Sequence, residues 1–135
     1  MTKALLLKKD VRGAAAIEMA LALPILVSMI YGLFQVGLLY QANAGMQHAL
    51  GEGARLATLC IPSGTACNSP SDTQIKFRMA AKAFGKGDGN YTVADPVAGT
   101  GYKDLSITYS KRMNFIFFSG PTITLTRTKR AYTAS

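Results

Sequence analysis

The chain has 135 residues, a net charge of +8 and a hydrophobic content of 49%. This length allows one long helix and one small domain, and it excludes two separately folded domains. The sequence contains neither a basic helix with interleaved aromatic residues nor zinc-finger spacing. We therefore expect no nucleic-acid partner, no metal site and no cofactor.

The N-terminal flank is basic, and an apolar segment at residues 19–40 follows it. The flank contains four basic residues and one acid: Lys3, Lys8, Lys9, Arg12 and Asp10. Eleven of the 22 residues in the segment are Leu, Ile, Val or Phe, and they contribute about −3 to −7 kcal/mol to membrane insertion. The sequence predicts one membrane span, with the flank in the cytoplasm and the C-terminal part in the periplasm or exterior.

Two cleavage sites compete around this segment. A secretory signal peptide would be cut after Ala44, at the end of a small-x-small sequence. The apolar core before that site is longer than in a typical signal peptide, and the polar region before the core contains Glu18. The other site is Gly13–Ala14, where a glycine ends the basic flank and Glu18 becomes the fifth residue of the new chain.

This second arrangement resembles the prepilin class, whose leader ends in Gly and whose mature chain has Glu at its fifth position. More narrowly, the sequence resembles TadE/TadF-like pseudopilins of tight-adherence (type IVc) pili. Three stretches carry this resemblance: RGAAAIEMALALPILVSMIYGLFQVG (12–37), ALGEGARLA (49–57) and FFSGPTITLTRTKRA (117–131). Two departures indicate a minor subunit that need not be N-methylated. Major pilins of these systems are much shorter and commonly have Glu-Tyr where this chain has Glu18-Met19, which indicates a minor subunit. The first mature residue would be Ala14 and not the Phe that is usual in type IV pilins, so N-methylation is not implied.

The resemblance implies cleavage between Gly13 and Ala14 by a prepilin peptidase. It also implies that Glu18 pairs with the α-amine of a neighbouring subunit during assembly, the alternative being an acid that caps its own helix. The implied partners are the prepilin peptidase, other major and minor pilins contacted through the N-terminal helix, the inner-membrane assembly platform and membrane lipid.

The predicted fold is α+β, with a long N-terminal transmembrane and stalk helix packed against a small antiparallel sheet domain. We expect a leader at residues 1–13, the helix at 14–57 and the outer domain at 58–135. In the stalk, Glu52 and Arg55 are expected to form a solvated pair and His48 to lie on the surface. Cys60 and Cys67 would lie in an oxidising compartment, so a disulfide is predicted, with two free thiols as the alternative.

The outer domain is predicted to contain one short helix and three strands. Ser71 and Gln74 form a capping-box pattern at the start of this helix, and Gly85 is expected to end it. The residues expected to face inward are Ile75, Met79 and Phe84, and the strands are expected at Tyr91–Ala94, Leu105–Ser110 and Thr122–Tyr132. GKGDGN at 85–90 is expected to be a loop. Asn114–Phe118 is interpreted as core in preference to a partner surface, and Ser119–Pro121 as a turn.

No paired carboxylates or nucleophile–base pattern points to catalysis, so we expect a structural protein and not an enzyme. The leading hypothesis is a minor pilin that supports pilus assembly or adhesion. Two alternatives remain: an exported binding domain released after Ala44, and an uncleaved single-pass membrane adaptor of a secretion complex.

Overall fold

The computed structural model describes residues 11–63, 66–116 and 118–133, and side chains from residue 13 except those at 61–63, 66 and 67. The elements in chain order are α1 (Val11–Ala57), β1 (Ile61–Ser63), β2 (Ala66–Asn68), α2 (Asp72–Lys82), β3 (Asn90–Val93), β4 (Val97–Gly99), β5 (Tyr102–Asn114) and β6 (Ser119–Tyr132). The predicted α+β class, a long helix with a small antiparallel sheet, is confirmed.

Helix α1 has 47 residues, so it is about 70 Å long, more than twice the thickness of the hydrocarbon layer of a bilayer. It continues through Pro24. The hydroxyl of Ser28 donates a hydrogen bond of 2.7 Å to the carbonyl of Pro24, so this polar group needs no solvent partner.

The C-terminal third of α1 forms one wall of the core. Its buried residues recur at helical spacing: Ala42, Met46, Ala49, Leu50, Ala54 and Ala57. Helix α2 contributes Ile75 and Met79, and β5 contributes Leu105, Ile107 and Tyr109. The small side chains on α1 let α2 and the sheet approach its backbone closely, so the core lies between these three elements.

The capping box of α2 is confirmed. The Ser71 hydroxyl accepts from the backbone N–H of Gln74, and the Gln74 side chain accepts from the backbone N–H of Ser71. The helix ends at Lys82 with Ala83 as its cap, not at Gly85 as predicted, because an extended Ala83 already stops the helical backbone. Phe84, predicted to face inward, is half exposed and contacts the ring of the exposed His48 edge-on.

The outer sheet has four strands, one more than predicted. β5 is central: β6 pairs along its whole length on one side, while β3 and β4 share the other side, and all pairs are antiparallel. The added strand, β4, is only three residues long, too short for an alternating pattern to identify.

The β5–β6 hairpin is longer than the sequence indicated, which corrects two predictions. Ser119–Pro121, expected to be a turn, belongs to β6. The turn lies instead within the apolar Asn114–Phe118 stretch, where the N–H of Phe115 donates to the carbonyl of Phe118 at 2.9 Å. Ile116 and Phe118 are 52% and 62% exposed, so interpreting this stretch as core was wrong. Phe117 lies outside the described residues.

Candidate membrane and assembly surface

Residues 13–40 of α1, here called the apolar rod, are mostly not covered by other parts of the chain. The large side chains of this rod are exposed on every side of the helix, among them Ile17, Leu21, Ile25, Ile30, Leu33 and Phe34. Within the described residues, α1 is the one helix that is long and apolar enough to cross a membrane. A surface of this size in contact with water would be costly, so lipid or other apolar helices must cover it.

The predicted processing and assembly residues lie at the start of this rod. Gly13, Ala14 and Glu18 are all helical and exposed. A Cβ built at Gly13 meets nothing within 4 Å, so the protein itself does not restrict this site. Ala14 and Glu18 are one helical turn apart, on the same side of α1. Residues 1–10 of the predicted leader lie outside the described residues.

Gln35 is the polar group that reasoning from the sequence missed in this segment. It is 3% exposed although most of its neighbours on α1 are exposed. Its Nε2 donates to the carbonyl of Asn114 at 3.2 Å, while its Oε1 is buried without a hydrogen-bond partner in the described part of the chain. Its position inside a charge-free apolar run was the available signal, because such a polar residue usually has a partner.

Polar contacts hold the outer domain to α1 just beyond the apolar rod. The hydroxyl of Tyr91 lies 3.1 Å from the carbonyl of Ala42 and 2.6 Å from that of Phe84, and burial raises the pKa of this phenol. On β6, Arg127 Nε donates to Asn43 Oδ1 at 2.8 Å. The domain is therefore attached to residues on the N-terminal side of Ala44 as well as after it.

Glu52 forms a different ion pair from the one predicted. Its carboxylate accepts from Arg78 of α2 at 2.9 Å, and this hydrogen bond is the main reason why the pKa of Glu52 is lowered. Arg55, the predicted partner, contributes only a weaker electrostatic attraction. The prediction of a Glu52–Arg55 pair was wrong because α2 packs alongside and offers a better-placed guanidinium. Glu52 and Arg78 border a groove of about 540 Å³ in which Leu56, Leu59 and Phe77 supply the apolar lining.

Cys60 follows α1 and lies at the start of a short β-hairpin. Cys60 is disulfide-bonded, and β1 and β2 return the chain beside it, with Ile61 opposite Asn68. The side chain of Cys67 lies outside those described, so the Cys60–Cys67 pairing stays a prediction. Within the described ranges, no group of three His, Cys, Asp or Glu side chains is placed to hold a metal ion.

One family model matches part of the chain, within α1. Residues 13–55 match the family model described as TadE-like protein, which confirms the resemblance seen in that part of the sequence. The match does not extend to residues 117–131, where the resemblance stays a prediction. No curated protein and no solved structure matches the chain significantly. The matched residues lie within α1 and include the apolar segment that is long enough to cross a membrane.

Proposed function

We propose that this chain, which is TadE-like over residues 13–55, is a minor pilin that supports assembly of a tight-adherence pilus or its adhesion. The main support is the exposed apolar rod of α1, which has a single carboxylate, Glu18, near its start. In the membrane, lipid covers this rod. In the pilus, the equivalent helices of other major and minor pilins replace the lipid.

The proposed division is a leader at 1–13, a transmembrane and stalk helix at 14–57 and an outer domain at 58–135. The leader faces the cytoplasm and the outer domain the periplasm, following the positive charge of the N-terminal flank. A prepilin peptidase cuts between Gly13 and Ala14, and the inner-membrane assembly platform then moves the subunit into the pilus. The chain performs no catalysis in this scheme.

The contacts on either side of Ala44 favour retention of the helix over release of a soluble domain. Cleavage after Ala44 would remove buried Ala42, its carbonyl that Tyr91 contacts and the amide of Asn43 that Arg127 contacts. The freed domain would lose part of its core and leave polar groups without partners, which costs free energy.

N-terminal sequencing of the protein purified from membranes tests this proposal, with and without the prepilin peptidase. We expect the mature chain to begin AAAIEMALAL, and the intact N-terminus to persist in the Gly13→Leu variant and in cells without the peptidase. Gly37→Leu is the matched control, because it makes the same substitution at another open position of α1. A start at GMQHALGEGA would instead establish an exported domain, and an uncut chain in the presence of the peptidase would favour a membrane adaptor.

A further inference from the structure

The β5–β6 hairpin extends back along α1 and reaches its apolar segment. The hairpin tip, defined as residues 114–116, 118 and 119, lies beside Gly32 and Gln35. Gln35 binds the carbonyl of Asn114, and a Cβ at Gly32 would lie 3.8 Å from Cε1 of Phe115. Both helix positions belong to the 19–40 segment, so the tip lies at the level of the apolar rod and not above it.

The rise of the helix places the tip within the thickness of a bilayer. Gln35 follows Glu18 by 17 residues, which at 1.5 Å per residue is about 26 Å along α1. The hydrocarbon layer is about 30 Å thick, and a carboxylate such as Glu18 belongs at its edge. The hairpin tip therefore lies a few ångströms inside the opposite edge, and a tilt of α1 would place it deeper.

The chemistry of the tip suits lipid. Ile116 and Phe118 are more than half exposed, and the rings of Phe115 and Phe118 stack with centroids 4.7 Å apart. The bond from Phe115 N–H to the carbonyl of Phe118 closes the turn, and Gln35 occupies the carbonyl of Asn114. These three backbone groups therefore have partners within the protein, and a backbone group without a partner is costly in an apolar phase.

A base lies where lipid headgroups would be. Arg112 is exposed on β5, opposite Thr122 on β6, and it precedes Asn114 by two residues, or about 7 Å of strand. No Asp, Glu, Lys or Arg occurs from Met113 through Thr126. The hairpin thus has the pattern of a membrane anchor: its apolar residues would lie among the acyl chains, and Arg112 would lie at the level of the lipid phosphates.

We propose that the hairpin tip is a second membrane contact, in which Ile116 and Phe118 insert among the acyl chains of the outer leaflet and Arg112 binds lipid phosphate. This inference rests on the proposed function in so far as α1 crosses the bilayer. The membrane-spanning part of α1 and the inserted tip together fix the rotation of the outer domain about α1 and hold the domain against the membrane. The subunit must then withdraw the tip from lipid when it enters a pilus.

The absence of tryptophan from the chain allows a direct test of depth. Three full-length variants each carry one tryptophan: Phe118→Trp in the tip, Phe34→Trp in the exposed apolar rod and Phe77→Trp on α2. All three positions are exposed aromatic residues. Each variant is reconstituted in vesicles of phosphatidylethanolamine and phosphatidylglycerol with brominated acyl chains, and quenching by the bromines is compared with quenching by aqueous iodide.

We expect Trp fluorescence of the Phe118→Trp variant to be quenched by brominated lipid nearly as strongly as that of Phe34→Trp, and to be shielded from iodide. Phe77→Trp should show the opposite behaviour. Iodide quenching of the Phe118→Trp variant, with Phe34→Trp still quenched by lipid, would overturn the tip proposal alone. Loss of lipid quenching from Phe34→Trp would instead contradict the membrane-spanning part of the proposed function.

Two further results would test whether lipid covers the tip and whether Arg112 binds lipid phosphate. Shielding of the tip from both quenchers, relieved by raising the lipid-to-protein ratio, would mean that a second copy of the chain covers it and would overturn the proposal. Adding Arg112→Glu to the Phe118→Trp variant should reduce quenching by brominated lipid at least twofold in these anionic vesicles. Unchanged quenching would contradict the assignment of Arg112 to lipid phosphate.

Discussion

Lys111 is a charged residue in a row of core residues. It lies on β5 between Tyr109 and Met113, facing the same side, and its side chain is 1% exposed. Its ammonium reaches Asp88, in the loop that precedes β3, at 2.7 Å. The hydrogen bond from Lys111 holds the pKa of Asp88 below its usual value. This loop therefore supplies the carboxylate of Asp88, which neutralises the buried ammonium of Lys111.

We predict that Asp88→Asn lowers the free energy of unfolding by about 1–3 kcal/mol, because it leaves the Lys111 ammonium buried without a counter-charge. Denaturant unfolding of the full chain in detergent micelles measures this. Asp95→Asn is the matched control, since its pair with Lys76 is exposed on both sides and should be worth less than about 1 kcal/mol. Equal losses for the two variants would contradict the importance of burial.

The same pair predicts a direction for the pH dependence. A carboxyl whose pKa is lower in the folded chain stabilises the fold above its unfolded value, and this stabilisation is lost as the pH falls through the folded value. Because the unfolded value for Asp is about 3.9, stability should decline below about pH 4. Unfolding midpoints measured between pH 7 and pH 2 should show a smaller decline for Asp88→Asn, and an unchanged decline would exclude this pair as its source.

The contact of α1 with the outer domain depends on where its glycines lie. At Gly45 a Cβ would stand against the backbone of Phe84 and overlap its carbonyl oxygen. At Gly51 a Cβ would meet nothing within 4 Å. The two glycines are on one helix and six positions apart, yet only Gly45 lies where the connection after α2 crosses α1.

We predict that Gly45→Ala destabilises the protein by about 1–3 kcal/mol, because the backbone at Phe84 must move away from α1. Gly51→Ala should stabilise it by about 0.5–1 kcal/mol, since alanine loses less backbone entropy in a helix. Thermal unfolding of both variants in the same detergent measures the difference. A stabilised Gly45→Ala variant would mean that the domain does not pack on α1 this closely.

Glu18, the single acid of the apolar rod, is the residue through which this chain is proposed to pair with other pilus subunits. An exposed carboxylate near the start of an apolar helix is costly in lipid unless a cation neutralises it. The α-amine that cleavage at Ala14 would create in a neighbouring subunit is such a cation.

We predict that Glu18→Gln is still cleaved but enters sheared pili at about one tenth of the normal level or less, which corresponds to losing about 1.4 kcal/mol of subunit pairing. Immunoblots of the pilus and membrane fractions measure this, with Glu18→Asp as the control that retains the charge. Normal incorporation of Glu18→Gln would leave Glu18 with at most a capping role on its own helix.

Features set by neighbouring residues could be read directly from the sequence. The charge-free run from Met19 through Gly51 indicates the apolar rod, Ser71 and Gln74 begin α2, and alternation from Leu105 identifies the inward row of β5. Each depends on hydrogen bonds or side-chain spacing within a few residues, which the order of residues specifies. The TadE-like segment is likewise contiguous.

The features that folding alone reveals join residues far apart in the chain. Gln35 meets Asn114, Glu52 meets Arg78 instead of Arg55, and Lys111 meets Asp88. The apolar 114–118 stretch looked like core because composition records hydrophobicity and not location. Ile116 and Phe118 are exposed because the β5–β6 pairing extends far along α1. The length of that pairing is set by two strands together, and neither strand specifies it alone.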